Sequence, residues 1–254
     1  MNKKKCINVT IGLGILVLLW IFASLSSKTG NTVIPSPKDV FEAFKELFEG
    51  GLLFEYIGIS LYRFFVGYIS SVLVAIILGL IMGWYTKIWD IVDPIVQVLR
   101  PISPTAWFPF IVIAFGIGNL PAIAIIFIAG FFPVLLSTVS AVKKIDKTYL
   151  KVAGNFEIKG IYLITKIVIP AIFPYIANAM HIALGTAWIF LVAGEMVGAQ
   201  SGLGYLIIDA RNNLRTDMLL AGIILIGVIG LILDKLIGKI ERTISIRWGK
   251  VIES

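Results

Sequence analysis

The stretch KKIDKTYLKVAGNFEIKGIYLITK, residues 143–166, determines how the rest of this chain is interpreted. It holds six lysines and two acids, and it lies between two long runs that contain no Asp, Glu, Lys or Arg. These runs are residues 101–142 and residues 167–194. A helix needs roughly 20 apolar residues to cross the hydrocarbon core of a bilayer. The pattern therefore predicts membrane spans on both sides of a basic loop that lies in water.

Composition supports a polytopic, all-α membrane protein. Of the 254 residues, 58% are hydrophobic and 15% are charged, whereas a soluble globular domain has about 25% charged residues. The net charge of +7 is spread around the ends of the predicted spans rather than gathered on one face. The surplus therefore points to the lipid bilayer and not to a nucleic acid.

Charge-free windows predict six transmembrane helices. They are residues 6–27, 64–86, two crossings within 101–142 separated by the turn GIGNLP (116–121), 167–194, and 218–233. The first window is longer than the apolar part of a signal peptide, so we expect an uncleaved anchor. Cys6, the single cysteine, permits no internal disulfide; a small residue at a span edge is favoured over a lipidation site.

The distribution of lysine and arginine predicts the orientation. Fifteen of these residues lie on the side of the basic loop and five on the other side. The positive-inside rule then places both termini in the cytoplasm of a multi-pass protein of the cell membrane. The expected divisions are an anchor with an outer amphipathic helix (1–58), a transmembrane core (59–242) and a cytoplasmic tail (243–254).

Two segments outside the spans also show helical signals. Ser36-Pro37-Lys38-Asp39 predicts a capping box that starts an amphipathic helix, either on the outer membrane surface or packed against the bundle. Polar residues at 90, 93, 97 and 100 form one stripe on a short helix that leads into a proline-broken third span. Gly67, Gly79, Gly83 and Gly185 are expected to permit close helix packing.

The basic loop itself predicts two short helices. Asp146 caps the first, which runs to about Phe156, and residues 157–160 form a turn. The second helix starts at Ile161 and reaches the membrane at Pro170. Two short helices with an exposed corner suit a groove on another protein. An ordinary solvated loop is the alternative.

A series of motifs resembles one branch of a transporter family. The motifs are SLYR (60–63), LRPISPTAW (99–107), FGIG (115–118), Ala153 with Phe156, VIPAIFPY (168–175), ALGTAW (183–188), GEMVGA (194–199), SGLGYLI (201–207) and DARN (209–212). In order and spacing they resemble the permeases of ATP-binding-cassette (ABC) importers of the nitrate, sulfonate and taurine branch. The resemblance covers residues 35–248.

This resemblance implies a type I ABC importer permease fold and a set of partners. These are a cytoplasmic ATPase dimer, an extracytoplasmic solute-binding protein and a second permease copy that makes a homodimer. The docking loop would contribute Ala153, Phe156, Glu157, Ile158, Lys159, Gly160, Ile161 and Tyr162. The chain would be no enzyme and bind no cofactor, because it lacks a Gly-x-x-x-x-Gly-Lys-Ser/Thr run; ATP and Mg²⁺ would be held by the partner ATPase.

One position departs from the family pattern. In the family, this loop has a glycine 13 residues before the first proline of the segment that reads VIPAIFPY (168–175) here. Counted back from Pro170, that position in this chain is Glu157. Lys151-Val152-Ala153 likewise stands where the family has Glu-Ala-Ala. We therefore expect a docking surface that differs in shape and charge, with a turn that can use Gly160.

Four residues within the spans are candidates for the translocation path or gate. Glu195 could form a gate hydrogen bond, pair with Arg211 or Arg215, or contact the path; alternatively it is hydrated near the outer interface. His181 is expected to make a helix–helix hydrogen bond rather than bind a ligand. Trp188 and Trp107 could line the path, although packing is the commoner role. No His, Cys, Asp and Glu cluster has the spacing of a metal site.

Other functional classes remain as alternatives. Within the same transporter class, the solute could be a vitamin precursor such as a pyrimidine instead of a sulfonate, taurine or nitrate. An ion-coupled secondary transporter would need intramembrane carboxylates, and Glu195 is the candidate that the sequence offers. A membrane scaffold is the remaining possibility. A stable ATPase partner would distinguish the ABC class from the last two.

Overall fold

The regular structure of this protein is entirely helical within the residues that its computed structural model describes, 3–27 and 34–247. The predicted all-α fold is therefore confirmed. The helices are α1 (Lys3–Ser27), α2 (Pro37–Glu49), α3 (Leu52–Trp84), α4 (Thr86–Leu99), α5 (Phe108–Phe115), α6 (Asn119–Lys143), α7 (Lys147–Asn155), α8 (Gly160–Leu163), α9 (Ile169–Gly198), α10 (Leu203–Asn212) and α11 (Thr216–Arg247). A 3₁₀ turn, Pro104–Trp107, precedes α5, and a π-helical turn, Ile164–Val168, joins α8 to α9.

Helices α3, α6 and α9 form the centre of the bundle. Phe64, Ile126 and Leu191, one from each helix, belong to a single buried cluster. Side chains from these helices exclude water from the interior, and α11 adds Ile229 and Leu233 to the same cluster. This core holds the ends of α3, α6 and α9 in fixed positions.

Glycines let α3 and α6 approach closely. A Cβ added at three glycines of α3 would come within 2.6–2.7 Å of a Cβ on α6. The pairs are Gly67 with Ile126, Gly79 with Thr138, and Gly83 with Val142. The prediction of close packing is confirmed at these positions. It is wrong at Gly185, where an added Cβ would meet nothing within 4 Å.

Four helices in the described part of the chain are long and apolar enough to span a membrane. They are Leu52–Trp84, Asn119–Lys143, Gly160–Gly198 and Thr216–Glu241. The expected third crossing differs from the prediction: α5 is too short, and a fifth span exists only if Thr86–Leu99 and Pro104–Phe115, bent by 86°, count as one. Gly14–Ser26 is a shorter apolar helix. The count of six transmembrane helices stays a prediction.

The observed helices bear on three further boundaries. The second span was expected to begin at residue 64, but α3 already begins at Leu52, so that Arg63 lies inside the helix. The predicted divisions at 58/59 and 242/243 both fall within continuous helices, α3 and α11, and the division into anchor, core and tail stays a prediction. Residues 248–254, most of the expected tail, lie outside the described residues.

Helix α2 begins with the predicted capping box. The Ser36 hydroxyl accepts a hydrogen bond from the Asp39 backbone N–H, and the Asp39 carboxylate accepts one from the Ser36 N–H at 2.8 Å. Val40 and Leu47 are buried against Met218 and other residues of α10 and α11. Of the two predicted positions, packing against the bundle is therefore the one observed.

Candidate functional site

The first half of the basic loop (residues 143–166) is helix α7, which starts where the sequence predicts. The Asp146 carboxylate accepts a hydrogen bond from the Thr148 backbone N–H at 2.8 Å and caps the helix. This bond, together with one from the Thr148 side chain, lowers the pKa of Asp146. The helix ends at Asn155, one residue from the predicted end at Phe156.

A Schellman motif closes α7. The Ile158 N–H donates to the Ala153 carbonyl at 2.9 Å, and the Glu157 N–H donates to the Gly154 carbonyl at 3.0 Å. The motif needs one residue in the left-handed conformation, usually glycine, and Glu157 takes that conformation with φ of 55°. The turn is therefore made at the position where the family pattern has glycine, and Gly160, with φ of 60°, follows it as the first residue of α8.

The corner between α7 and α8 presents apolar side chains to the surroundings. Phe156 is 74% exposed, and Ile161 and Tyr162 are each 66% exposed. Glu157, Lys159 and Gly160 are exposed as well, whereas Ala153 is buried and Ile158 is half-buried. Exposed large apolar residues that cluster between charges are typical of an interaction surface. We call Phe156, Ile161 and Tyr162 the apolar corner.

A buried ion pair lies at the opposite end of the bundle, which we call the far end. Arg63 of α3 and Glu195 of α9 are 1% and 0% exposed, and Arg63 Nη1 lies 2.7 Å from Glu195 Oε1. The Ser60 hydroxyl lies 2.8 Å from both Glu195 oxygens, and the Gly204 N–H donates to Oε2 at 2.9 Å. The carboxylate is thus surrounded by donors.

The Arg63 guanidinium is satisfied in the same way. Its Nη1 donates to the Ser201 carbonyl at 2.6 Å, its Nη2 donates to the Ser201 hydroxyl at 2.9 Å, and its Nε donates to Asn119 Oδ1 at 2.8 Å. The Leu203 N–H donates to the Ser60 hydroxyl at 2.9 Å. The cluster joins α3, α6, α9 and the 199–202 loop. Breaking such a buried network is costly, because a group that loses its partner has no water molecule to replace the lost hydrogen bond.

Two glycines allow the chain to wrap around Glu195. Gly202 has φ of 104°, and a Cβ added there would come within 2.7 Å of all three carboxylate atoms. A Cβ on Gly204 would come 2.5 Å from the Val192 carbonyl oxygen and 2.7 Å from the Glu195 Cβ. The SGLGYLI motif therefore has a physical role: it brings backbone N–H groups up to a buried carboxylate.

Two expectations for Glu195 are wrong. It is not hydrated at an interface, because it is fully buried, and it does not pair with Arg211 or Arg215. Its partner, Arg63, is the residue that sequence reasoning missed. The available signal was the cation inside SLYR, close to the start of an apolar run, but nothing in the local sequence connects it with an acid 132 residues away.

Arg215 has partners on the surface of the far end. Its Nη2 lies 2.8 Å from Glu46 Oε2 on α2 and 2.8 Å from Asp217 Oδ2 on α11. The hydrogen bonds from Arg215 lower the pKa of Glu46, and those to Asp217 and Glu46 raise the pKa of Arg215. Arg211 reaches only the neighbouring Asn212, at 3.4 Å, among the residues that the structure describes.

His181 contacts two acids of α11. Its Nε2 lies 3.0 Å from Asp234 Oδ1, and its Nδ1 lies 3.3 Å from Glu241 Oε2. These contacts join α9 to α11, as expected for a helix–helix contact.

The two tryptophans have different surroundings. Trp188 is only 7% exposed; its ring centroid lies 5.4 Å from that of Phe64, and its Nε1–H donates to the Ile226 carbonyl at 3.2 Å. The ring is packed within its own chain, which is the commoner role that the sequence analysis names for it, and a role in the path stays a prediction. Trp107 is half-buried against the cluster of Phe108, Ile111 and Ile125.

Comparison with known proteins now identifies the family. Residues 72–246 match the model of the "binding-protein-dependent transport system inner membrane component" family. The chain is 36% identical to a protein of Methanocaldococcus jannaschii named as an ABC transporter permease, over the full length of both chains. It is 31% identical to a protein of Bacillus subtilis named as an aliphatic sulfonates transport permease, over 92% of this chain and 84% of the relative. It is 36% identical to a nitrate import permease of Leptolyngbya laminosa, over 76% of this chain and 69% of the relative. The chain therefore belongs to the family of binding-protein-dependent inner membrane components, the multi-pass permeases of ABC transporters.

Proposed function

We propose that this chain is the permease subunit of an ABC importer for a small solute with an oxyanion group, such as a sulfonate, taurine or nitrate. The proposal takes the solute class from relatives named for aliphatic sulfonate and nitrate transport. Two copies of the chain enclose the path, and a solute-binding protein on the outside delivers the solute. Each copy docks one subunit of a cytoplasmic ATPase dimer through the basic loop.

The apolar corner carries this proposal. Phe156, Ile161 and Tyr162 stand out from a loop that is otherwise rich in lysine, and they are held there by a closed Schellman turn. Burying such side chains in a partner's groove is favourable by about 25 cal/mol for each Å² of apolar surface removed from water. A rigid helical corner with apolar anchors fits the helix-in-groove mode of recognition.

The lysine distribution supports the orientation that docking requires. The basic loop lies on the side with fifteen of the counted cations, which corresponds to the cytoplasm and places both termini there. ATP and Mg²⁺ belong to the partner, because the sequence has no phosphate-binding Gly-x-x-x-x-Gly-Lys-Ser/Thr run.

The burial of Glu195 argues against this residue as the coupling carboxylate of an ion-coupled transporter. Glu195 is enclosed and paired with Arg63, so no ion or proton reaches it without breaking the cluster. Asp234 and Glu241 also lie in a candidate membrane span, where both contact His181. ATP-driven movement needs no such titrating carboxylate.

Co-purification with the ATPase tests the proposal. We expect the full chain to retain an ABC ATPase through detergent extraction, and the Ile161→Asp variant to lose it. The matched control is Leu214→Asp. Leu214 is 87% exposed on the far end of the bundle and has φ of 56°, a conformation that aspartate tolerates. Both variants place the same charge on an exposed aliphatic position, but only one lies in the apolar corner.

The result that would overturn the proposal is retention of the ATPase by the Ile161→Asp variant at the level of the Leu214→Asp control. Substrate-stimulated ATP hydrolysis in proteoliposomes provides a second measurement. It should be present for the wild type and the control, and absent for Ile161→Asp. Membrane insertion of all three proteins, checked by accessibility labelling at residue 159, should be the same.

A further inference from the structure

A groove of about 590 Å³ runs along α6 and α9 beside the break between α4 and the 3₁₀ turn. Its volume is in the range of small-ligand sites. Pro133, near the middle of α6, and Thr186, near the middle of α9, both line it. Because these positions are central in two candidate membrane spans, the groove extends to the middle of these spans.

Among the residues that the structure describes, Arg100 is the only charged one that lines this groove. It is exposed, and its guanidinium has no hydrogen-bond or ion-pair partner within residues 3–27 and 34–247. An arginine at the centre of a bilayer costs about 2.5–3.5 kcal/mol on insertion scales, so such residues face water-filled cavities or the interior of a bundle. The position of Arg100 therefore indicates a hydrated groove.

The backbone gives a second, independent indication. Residues 100–103 are not helical, and the helices on either side are bent by 86°. Non-helical backbone at membrane depth is tolerated only where protein buries it or where it lines a water-filled cavity. Ile102 and Pro104 line the same groove as Arg100.

The remaining lining suits an anion rather than a cation. Asn178 is exposed in the groove, and its side-chain amide has no hydrogen-bond partner among the described residues. Phe132 and Phe190 add apolar walls. The hydroxyls of Ser137 and Thr186 also line the groove, but their protons are donated to backbone carbonyls, so they supply no donor to an anion. None of the described residues that line the groove is an acid, so no carboxylate in this lining offsets the positive charge of the guanidinium.

We propose that Arg100 and Asn178 form an anion-binding subsite within the translocation path, which holds the oxygens of a sulfonate or nitrate group in transit. The guanidinium fork supplies two parallel N–H donors to an oxyanion, a pairing that arginine makes with both charge and geometry. The Asn178 amide supplies a further donor. The subsite gives the permease its own preference for anions. This inference rests on the proposed function and names its substrate class.

Thiol labelling tests the subsite without knowledge of the natural solute. Cys6→Ser removes the single cysteine, and Asn178→Cys then places one thiol in the groove of the full-length protein in membrane vesicles. The probes are the sulfonatoethyl and trimethylammonioethyl methanethiosulfonates, which differ in the sign of their charge. The measured quantity is the labelling rate of the anionic probe divided by that of the cationic probe. We expect this ratio to be high when Arg100 is present, and Arg100→Gln to lower it about tenfold.

Lys87→Gln is the matched control. It removes one exposed cation from α4, the helix that directly precedes Arg100, at a position outside the groove, and it should leave the labelling ratio unchanged. Arg100→Lys should retain most of the ratio, because it keeps the charge. An Asn178→Cys thiol that reacts with neither probe would show a dry groove and overturn the proposal, as would a ratio that does not respond to Arg100→Gln.

Uptake by proteoliposomes that contain the complete transporter gives the functional measurement. With methanesulfonate and nitrate as probes, Arg100→Gln should reduce uptake at low probe concentration by at least about tenfold, mainly through a raised KM. ATPase co-purification should stay at the wild-type level, because the apolar corner is unchanged in this variant.

The two proposals fail in different ways. If the wild-type chain does not co-purify with an ABC ATPase, the permease function is refuted. The thiol-labelling result is independent of that outcome, because it is measured on this chain alone. Wild-type uptake of both probes by Arg100→Gln refutes the subsite alone. Loss of assembly in both Arg100→Gln and Arg100→Lys shows a structural role for Arg100 and also refutes the subsite.

Discussion

The far end of the bundle and the basic loop satisfy their side chains in opposite ways. At the far end, two opposite charges are removed from water entirely, and each finds its donors or acceptors within the chain. In the basic loop, backbone hydrogen bonds close the turn, but large apolar side chains remain exposed. The charged side chains of the first region are paired within the chain, whereas the apolar side chains of the second are available to a partner.

Because of this difference, substitutions in the two regions should affect different properties, namely stability and partner binding. Substitutions in the Arg63–Glu195 cluster act on the free energy of unfolding, because they leave a buried charge or remove close packing. Substitutions in the apolar corner act on partner binding, because the corner contributes little to the core.

The largest effect is expected for Arg63→Ala. This change leaves Glu195 buried without its counter-charge, and breaking a buried pair by removing one partner costs about 3–5 kcal/mol. We expect a loss of that size in the free energy of unfolding in detergent micelles, measured by thermal or denaturant unfolding, and low expression.

A double variant provides the control. Replacing both Arg63 and Glu195 with methionine removes the charges together, and well-packed apolar replacements of buried pairs are often neutral or stabilising. The double variant should therefore be more stable than Arg63→Ala. An Arg63→Ala protein as stable as the wild type would show that the cluster is not a stability element.

The next effect is expected for Gly204→Ala. The added methyl group would lie against the Val192 carbonyl and Glu195, and overpacking of this kind costs about 1–3 kcal/mol. Gly185→Ala is the control, because it changes another helical glycine with open space around it. The control should be neutral or slightly stabilising. Equal unfolding temperatures for both variants would contradict the proposed close wrapping of Glu195.

The sequence predicted the parts of this fold that depend on residues close together in the chain. Asp146 and Ser36 cap α7 and α2 as expected, because the donor and acceptor of each cap are two or three residues apart. It also predicted the exposed loop between long apolar helices. The motifs identified the family correctly because their order and spacing cover most of the chain.

The sequence could not predict the contacts that tertiary packing creates. Arg63 and Arg100 lie in neither of the two lysine and arginine counts that gave the orientation, although each directly precedes a predicted uncharged window. The structure buries Arg63 and leaves Arg100 exposed in a groove. The partner of Arg63 is on a helix far along the chain. The break at residues 100–103 lies where prolines were expected to interrupt the third span. The 86° bend between its two helices could not be predicted, because hydropathy reports the environment of a segment and not its direction.

A smaller effect is expected in the basic loop for Glu157→Gly. Glu157 holds a left-handed conformation, which costs a residue with a Cβ about 1–2 kcal/mol, and glycine recovers part of this at an entropic cost in the unfolded chain. We expect the amides of Glu157 and Ile158 to exchange hydrogen a few times more slowly, consistent with about 1 kcal/mol. Glu157→Ala removes the same carboxylate but keeps the Cβ, so it should not slow exchange. Slower exchange in both variants would assign the effect to charge instead of backbone strain.

The smallest effect is expected for the exposed ion pair at the far end, Arg215 with Glu46. Both side chains are more than a third exposed, and solvent screening limits such pairs to less than about 1 kcal/mol. Arg215 lowers the pKa of Glu46 below its ordinary value of 4.5, so the folded state binds this proton less tightly than the unfolded state. The stabilisation is therefore fully present above pH 4.5 and is lost as the pH falls through the lowered pKa. We expect Arg215→Gln to lower the unfolding temperature slightly at neutral pH and to make less difference below the lowered pKa, whereas Arg211→Gln should have no pH-dependent effect. A difference between Arg215→Gln and wild type that grows towards acid pH would contradict this assignment, because removal of a counter-charge cannot matter more once the carboxylate is neutral.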